Sequence, residues 1–412
     1  MIIGAGSLFA GCAGAFGMQS HLGEPDADYV PGHAPLAWAD TEWPFPDYDP
    51  ALTRNPPPES APDADLERVW DVRDDSLYAN EWAPPIVANG QVFVAGAESR
   101  GVALWAVDIA NGDVEWSRKY LGDGGTGPSL AAPGSALYYR IEDWKTPVGA
   151  FAAATGERVW NHSDPPNGNW VIGDGRFYHT DTIDGDLHAY DVRTGDHLWV
   201  TPVDDERLFV RSFHPEVGVF ASGDGTLYAL DPANGSVRWD RGVSSHTKSG
   251  PVVPDGRVFI TKWTDGMDLL SLDPTTGEQQ WQYPLSQVHG DTPEGRARRW
   301  YEIGAATSAV VVVRERRADS SAGRLHAVEA DTGERRWRIA PPSGTAGFGA
   351  PTVVGDHVYV SAAGSQRSTV LRLSLDDGAR LSSWDLPPGA GDTLVADGLV
   401  IVEVADGIVA LA

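Results

Sequence analysis

A tryptophan returns at positions 70, 116, 160, 199, 239, 281, 337 and 384, at spacings of 39 to 56 residues. A period of that size belongs to the blades of a β-propeller. Tryptophan is otherwise a rare residue, yet its 16 copies outnumber both the 12 Tyr and the 11 Phe, so it serves a repeated structural purpose.

The tryptophan closes a longer motif, Ala-x-Asp-x-x-Thr-Gly-x-x-x-Trp. Its clearest copy runs from Ala106 and Asp108 through Gly112 to Trp116. Others carry Ala189, Asp191, Thr194, Gly195 and Trp199; Ala229, Asp231, Gly235 and Trp239; Ser271, Asp273, Thr276, Gly277 and Trp281; and Ala327, Glu329, Thr332, Gly333 and Trp337. One copy loses the Asp near residue 152 but keeps Thr155, Gly156 and Trp160, and the copy ending at Trp384 is stretched after Gly378. Asp at such a place bonds backbone N–H groups two residues on, and Gly supplies a positive φ. The carboxylates of Asp108, Asp191, Asp231 and Asp273 are therefore read as turn caps, not catalytic acids. Trp on the departing strand is expected to fill the wedge between adjacent sheets.

Two further strands precede each turn, as at Gln91–Val94 and Arg257–Ile260, each opened by an Asn-Gly or Asp-Gly turn. Helical periodicity is nowhere evident. The last unit stops after Gly407–Ala412, where its turn and Trp strand should follow, while Leu66–Trp70 near the front has the sequence of the missing piece. The expectation is an all-β, eight-bladed propeller of four-stranded blades over residues 65–412, its ring closed by an N-terminal strand.

On this motif the array resembles the quinoprotein-like (PQQ-like) repeat family over the whole of residues 65–412. That family includes pyrroloquinoline-quinone alcohol dehydrogenases and noncatalytic propeller lipoproteins of outer-membrane assembly. The resemblance implies, for an enzyme, two adjacent Cys against the quinone, a calcium held by Glu and Asn, and a catalytic Asp. The one Cys here, Cys12, lies outside the repeats. The His residues show no zinc-binding spacing. No cofactor is expected, with quinone plus calcium the requirement of an alternative enzymatic reading.

Acidic residues number 58 against 31 basic, a formal charge of -27, which excludes general nucleic-acid binding. Four of the 31 basic residues are Lys (119, 145, 248 and 262), leaving 27 Arg. This is the composition expected of a haloarchaeal protein, where salt screens self-repulsion.

Residues 1–18 form an uncharged signal-like segment whose string Leu8-Phe9-Ala10-Gly11-Cys12 resembles a lipobox, which makes Cys12 the expected lipid attachment. Phe9 departs from the usual Leu and no basic stretch precedes the apolar run, so the true start is expected upstream. Residues 19–64 read as a Pro-rich acidic tether. Within it, Trp43-Pro44-Phe45 and Asp49–Pro56 resemble the short segment that leads into many quinoprotein-like propellers along their surface.

In a four-stranded blade the loops between blades and the loops joining the second and third strands emerge on one face, here called upper. All four Lys are expected there, with Lys145 and Lys262 beside Trp144 and Trp263. Two insertions, 287–304 with Arg296, Arg298, Arg299 and Trp300, and 314–323 with Arg314, Arg316 and Arg317, are expected on the same face. Aromatic residues with Arg are typical of binding hot spots, so this face is the candidate interface. The expected protein is a monomeric, exported, lipid-anchored, noncatalytic scaffold on the outer face of the cell membrane, binding a protein or surface polymer. The alternatives are a divergent quinone- or metal-dependent oxidoreductase and a glycan-binding or sensor module.

Overall fold

The computed structural model describes residues 38–62, 65–72, 81–98, 101–121, 126–142, 148–162, 169–181, 185–192, 196–203, 208–223, 225–243, 250–263, 267–285, 299–317 and 323–412. They form eight antiparallel sheets set as the blades of an eight-bladed propeller. Blade 1 begins at Glu81–Trp82 and ends on Val114–Leu121, and blade 2 runs from Thr126–Ala131 to Arg158–His162. Blade 3 runs from Trp170–Gly173 to His197–Pro202, and blade 4 from Phe209–His214 to Val237–Gly242. In blade 5 the strands Val258–Trp263, Met267–Leu272 and Gln279–Tyr283 are joined by a bridge from Val252 to Phe259, in place of a full innermost strand. Blade 6 runs from Arg299–Ala306 to Arg335–Ile339, and blade 7 from Thr345–Phe348 to Arg380–Leu386.

Blade 8 takes Thr393–Ala396, Leu399–Val404 and Gly407–Leu411 from the C-terminal end and Arg68–Val72 from the front. Arg68 pairs with Leu411, Trp70 with Ala410 and Val72 with Ile408. Glu67 and Ala412 exchange backbone hydrogen bonds of 2.7 and 2.9 Å, so the two ends of the array are stitched into one sheet.

The turn motif works as its chemistry requires. Asp108 accepts from the N–H groups of Ala110 and Asn111, and Asp273 from those of Thr275 and Thr276. The Thr hydroxyl then accepts from the residue two further on, as Thr276 does from Glu278 and Thr332 from Glu334.

Tryptophan and glycine of different repeats lock together. Six of the eight indoles reach into the turn of the next blade and donate the Nε1–H to a carbonyl there: Trp70 to Ile109, Trp116 to Ala153, Trp199 to Pro232, Trp239 to Pro274, Trp281 to Ala330 and Trp337 to Leu375, at 2.8 to 3.1 Å. The turn Gly lies flat beneath the ring. At Gly277, with φ +68, an added Cβ would come within 2.5 Å of the Trp239 ring. Gly277→Ala therefore combines a left-handed backbone with overpacking, and we expect a loss of about 2–4 kcal/mol in chemical denaturation. Gly175→Ala, with similar φ and open space around it, is expected to lose only the conformational share, about 1 kcal/mol.

Trp384 departs from this register. Ser382 pairs with Arg372 at the place the indole takes in the other blades, and Trp384 sits two residues further on, opposite Val370. It packs half-buried beside the closing blade, with the Arg372 guanidinium 5.9 Å from its ring. The reason is topological: blade 8 takes its third strand from Gly407–Leu411 and its outer strand from Arg68–Val72, so no tight turn joins the two for an indole from blade 7 to cover.

Candidate functional site

The turn-bearing lower face is covered at its centre by the segment 38–62. Trp43 pairs in both directions with Val87 of blade 1. Further on, Pro44, Pro50, Ala51, Thr53, Arg54 and Ser60 accept from backbone N–H groups of blades 2, 4, 5, 6, 7 and 8, at 2.8 to 3.0 Å. Phe45 joins the cluster of blades 2 and 3 with Tyr138 and Ile172. To follow the propeller axis this closely the chain adopts positive φ at Tyr48, Leu52 and Arg54, none of them glycine. Arg54 is the anchor: it is buried, donates to the carbonyls of Pro351 and Thr393 at 2.9 and 2.5 Å, pairs with Asp47 at 3.0 Å and stacks over Trp43.

Above this floor lies a central cavity of about 430 Å³, walled by innermost-strand residues from Pro84 in the first blade to Asp392 in the eighth. Its charges are not scattered. Arg314 bonds Glu302 at 2.7 Å and Asp392 at 3.0 Å, and Asp392 also accepts from the Ala350 N–H at 2.7 Å. Burial works against ionising Asp392, but Arg314 and Arg54 hold its carboxyl below the usual range. Beside it, burial and the Asp392 charge push Glu403 up to about 8. In the floor, burial raises Asp49 to about 6, although it accepts from both the N–H and the hydroxyl of Thr53.

Glu403 is thus a neutral acid at pH 7 beside an ionised one. A carboxyl raised on folding binds more protons folded than unfolded, so its contribution falls as pH rises from about 4.5 to about 8. Asp49 acts in the same direction at lower pH. We expect Glu403→Gln to remove the part of this decline between pH 6 and 8, measured as urea midpoints across that range.

The sequence-expected binding face is only partly within the described residues. Cys12, Trp144, Lys145, Arg296 and Arg298 lie outside them, as does Lys248. Lys262 and Trp263 end the strand Val258–Trp263, and Arg299 and Trp300 begin Arg299–Ala306 in the next blade, so these two pairs share the upper end of adjacent blades. Lys262 sits opposite Asp268 in the ladder, while Trp300 is half-buried against the cluster of Tyr301, Ile303 and Val313.

Three expectations need correction. The insertions are shorter than the sequence suggested, because Arg299–Ala306 and Val310–Arg317 are paired strands. Arg314 is buried in the cavity network, and Arg317 bonds Glu315 at 2.7 Å, so neither is a surface cation awaiting a partner. Lys119 lies within the outer strand Val114–Leu121, not in a loop between blades. The cavity network itself was missed. Its only sequence signal was a charge set in an apolar strand, such as Arg211 between Val210 and Phe213 or Arg314 after four Val residues.

The residues present do not fit the quinone–calcium set. A single Cys precludes an adjacent pair. Among the described residues no group of three or more His, Cys, Asp or Glu is placed to hold a metal. No helix among them is long and apolar enough to cross a membrane.

Comparison with known proteins agrees with the fold and with the repeat. The outer membrane protein assembly factor BamB of Yersinia pestis is 28% identical over 249 residues, 55% of this chain and 59% of that protein. The serine/threonine-protein kinase AfsK of Streptomyces coelicolor is 27% identical over 205 residues, 42% of this chain and 24% of the kinase. The chain thus spans less than two thirds of either relative. Among solved structures, BamB from Moraxella catarrhalis superposes with a TM-score of 0.58 at 18% identity, covering 84% of this chain and 99% of that one. A europium-containing methanol dehydrogenase superposes at 0.62 with 14% identity, covering 90% and 91%, a likeness of fold alone. The family model described as outer membrane protein assembly factor BamB matches residues 67–162, 145–201, 200–299 and 286–411, and the chain belongs to that PQQ-like propeller family.

Proposed function

We propose that this propeller is a noncatalytic scaffold that engages a protein partner through its upper face, exported and held on the outer face of the cell membrane by a lipid on Cys12. The observation that carries the reading is the lower face. Its centre is occupied by the segment 38–62, bonded to seven blades, which favours the opposite, upper face for a partner. Loops on such a scaffold commonly carry binding. Membership of the BamB family supports a scaffold. The lack of a quinone–calcium residue set argues against the dehydrogenase chemistry of its structural neighbours.

At the high salt implied by the composition the Debye length is about 3 Å or less, so cations act only at contact and aromatic burial must supply the affinity. We expect Trp144→Ala with Trp263→Ala to weaken cross-linking to the partner on intact cells about tenfold, about 0.5–2 kcal/mol per lost cation–aromatic contact. Glu278→Ala in a lower-face turn should leave it unchanged. Retention in the Trp variant and loss in the turn variant would reverse the assignment of the face, and capture of a polysaccharide instead would replace the protein partner by a surface polymer.

A further inference from the structure

Arg211 stands on the wall of the central cavity, in the innermost strand Phe209–His214 of blade 4. Its Nε donates to the Ser222 hydroxyl at 2.8 Å, and its guanidinium carbon lies 5.0 Å from the Phe209 ring. The two other arginines of the cavity are paired, Arg54 with Asp47 and Arg314 with Glu302 and Asp392. Arg211 has no carboxylate partner among the described residues, and burial alone acts on its acidity, drawing its pKa down. A desolvated guanidinium without an anion is costly to keep.

Its position is built. A Cβ on Gly250 of the neighbouring blade would come within 2.7 Å of the Arg211 Cβ and 3.3 Å of its Cγ, so glycine there leaves room for the arginine stem. Trp170, in the innermost strand of blade 3, lines the same cavity and stacks on Phe177. The cavity, about 430 Å³, falls in the range of small-molecule sites, roughly 300–1,000 Å³. Residues of the segment 45–54 form its floor.

We propose that the central cavity binds a small oxyanion, with the Arg211 guanidinium as its anchor. The chemistry fits both a carboxylate of a small organic acid and an inorganic tetrahedral anion. A planar guanidinium fork takes either in two parallel hydrogen bonds. This site is separate from the upper-loop interface and does not depend on it.

The test titrates succinate, citrate, sulfate and phosphate separately into the full chain at fixed high salt, by calorimetry and by thermal shift. At least one is expected to bind with one-to-one stoichiometry and raise the melting temperature, and Arg211→Gln should weaken that binding about tenfold or more. Arg211→Lys should bind at intermediate strength, and Arg176→Gln, which removes an exposed ion pair elsewhere, should bind as the parent does. Binding of succinate or citrate alone assigns the site to an organic acid, and binding of sulfate or phosphate alone assigns it to an inorganic anion. Without anion, Arg211→Gln should melt at or above the parent temperature, because it removes an uncompensated charge. The proposal is overturned if none of the four anions binds, if Arg211→Gln binds as well as the parent, or if that variant melts far below the parent in anion-free buffer.

Discussion

A chain lacking residues 65–72 is expected to lose the cooperative unfolding of the closed ring and to associate through an exposed strand edge. The strand Arg68–Val72 does two things at once. It covers the edge of Gly407–Leu411, and its Trp70 carries the plug that docks blade 8 onto blade 1, with the indole N–H on the Ile109 carbonyl and the ring over Gly112. Emptying a buried Trp slot costs about 3–5 kcal/mol by itself. The open edge then exposes unpaired backbone groups along a whole strand, a template for association. Against a typical total of about 5–15 kcal/mol, the sum takes most of the stability. Trp70→Ala should reproduce the first part only, and Val69→Ser, on the exposed side of the same strand, should change little. Denaturant midpoints with size-exclusion profiles separate the three. Coincident midpoints for the deletion and the parent would mean that the two ends of the array are not energetically coupled.

This closure was legible because the front segment repeats the wording of a blade: Glu67-Arg68-Val69-Trp70 beside Glu157-Arg158-Val159-Trp160. Blade count, strand order and the capping role of Asp273 were legible for the same reason, since each rests on local chemistry copied many times. What the repeat hid was contact between copies. The Gly of one turn and the Trp of the preceding blade form a single joint, yet they lie in different units, some 33–49 residues apart in the hydrogen-bonded pairs. Trp384 shows the complementary limit, because its spacing resembles the others while the turn it would cover does not exist. Burial of charges along one strand face was hidden as well. Arg314 and Arg316 are two residues apart in Val310–Arg317, yet the guanidinium of one is buried against Glu302 and Asp392 while the other is half exposed. Composition carries no mark that separates them.

The second large effect is expected at that network. Arg314→Leu should cost about 3–5 kcal/mol near neutral pH, because it takes from Glu302 and Asp392 the cation that bonds both in a partly enclosed cavity, leaving Glu302 only Arg316 at 3.6 Å and Asp392 only the field of Arg54. Its pH dependence distinguishes stranded charge from lost packing. In the parent, Arg314 and Arg54 hold Asp392 below its ordinary value, so the stability this carboxylate contributes is present at neutral pH and is lost as pH falls through its folded pKa. Without Arg314 the balance changes sign. Burial, which is the largest influence on Asp392 and raises it, then meets only Arg54 and the Ala350 N–H, and the carboxyl of the folded variant is expected to bind a proton more readily than that of the unfolded chain. Lowering the pH from 7 toward 5 should therefore recover part of the loss in Arg314→Leu while leaving this term of the parent unchanged. Adding Asp392→Asn to Arg314→Leu should restore stability at pH 7 and flatten the pH profile, since the amide keeps its acceptor for the Ala350 N–H and carries no charge. A loss that stays constant from pH 5 to 7 and is not rescued by the second substitution would assign the effect to the cavity left by the side chain, and the ion-pair network would then be a neighbour of the axis, not one of its supports.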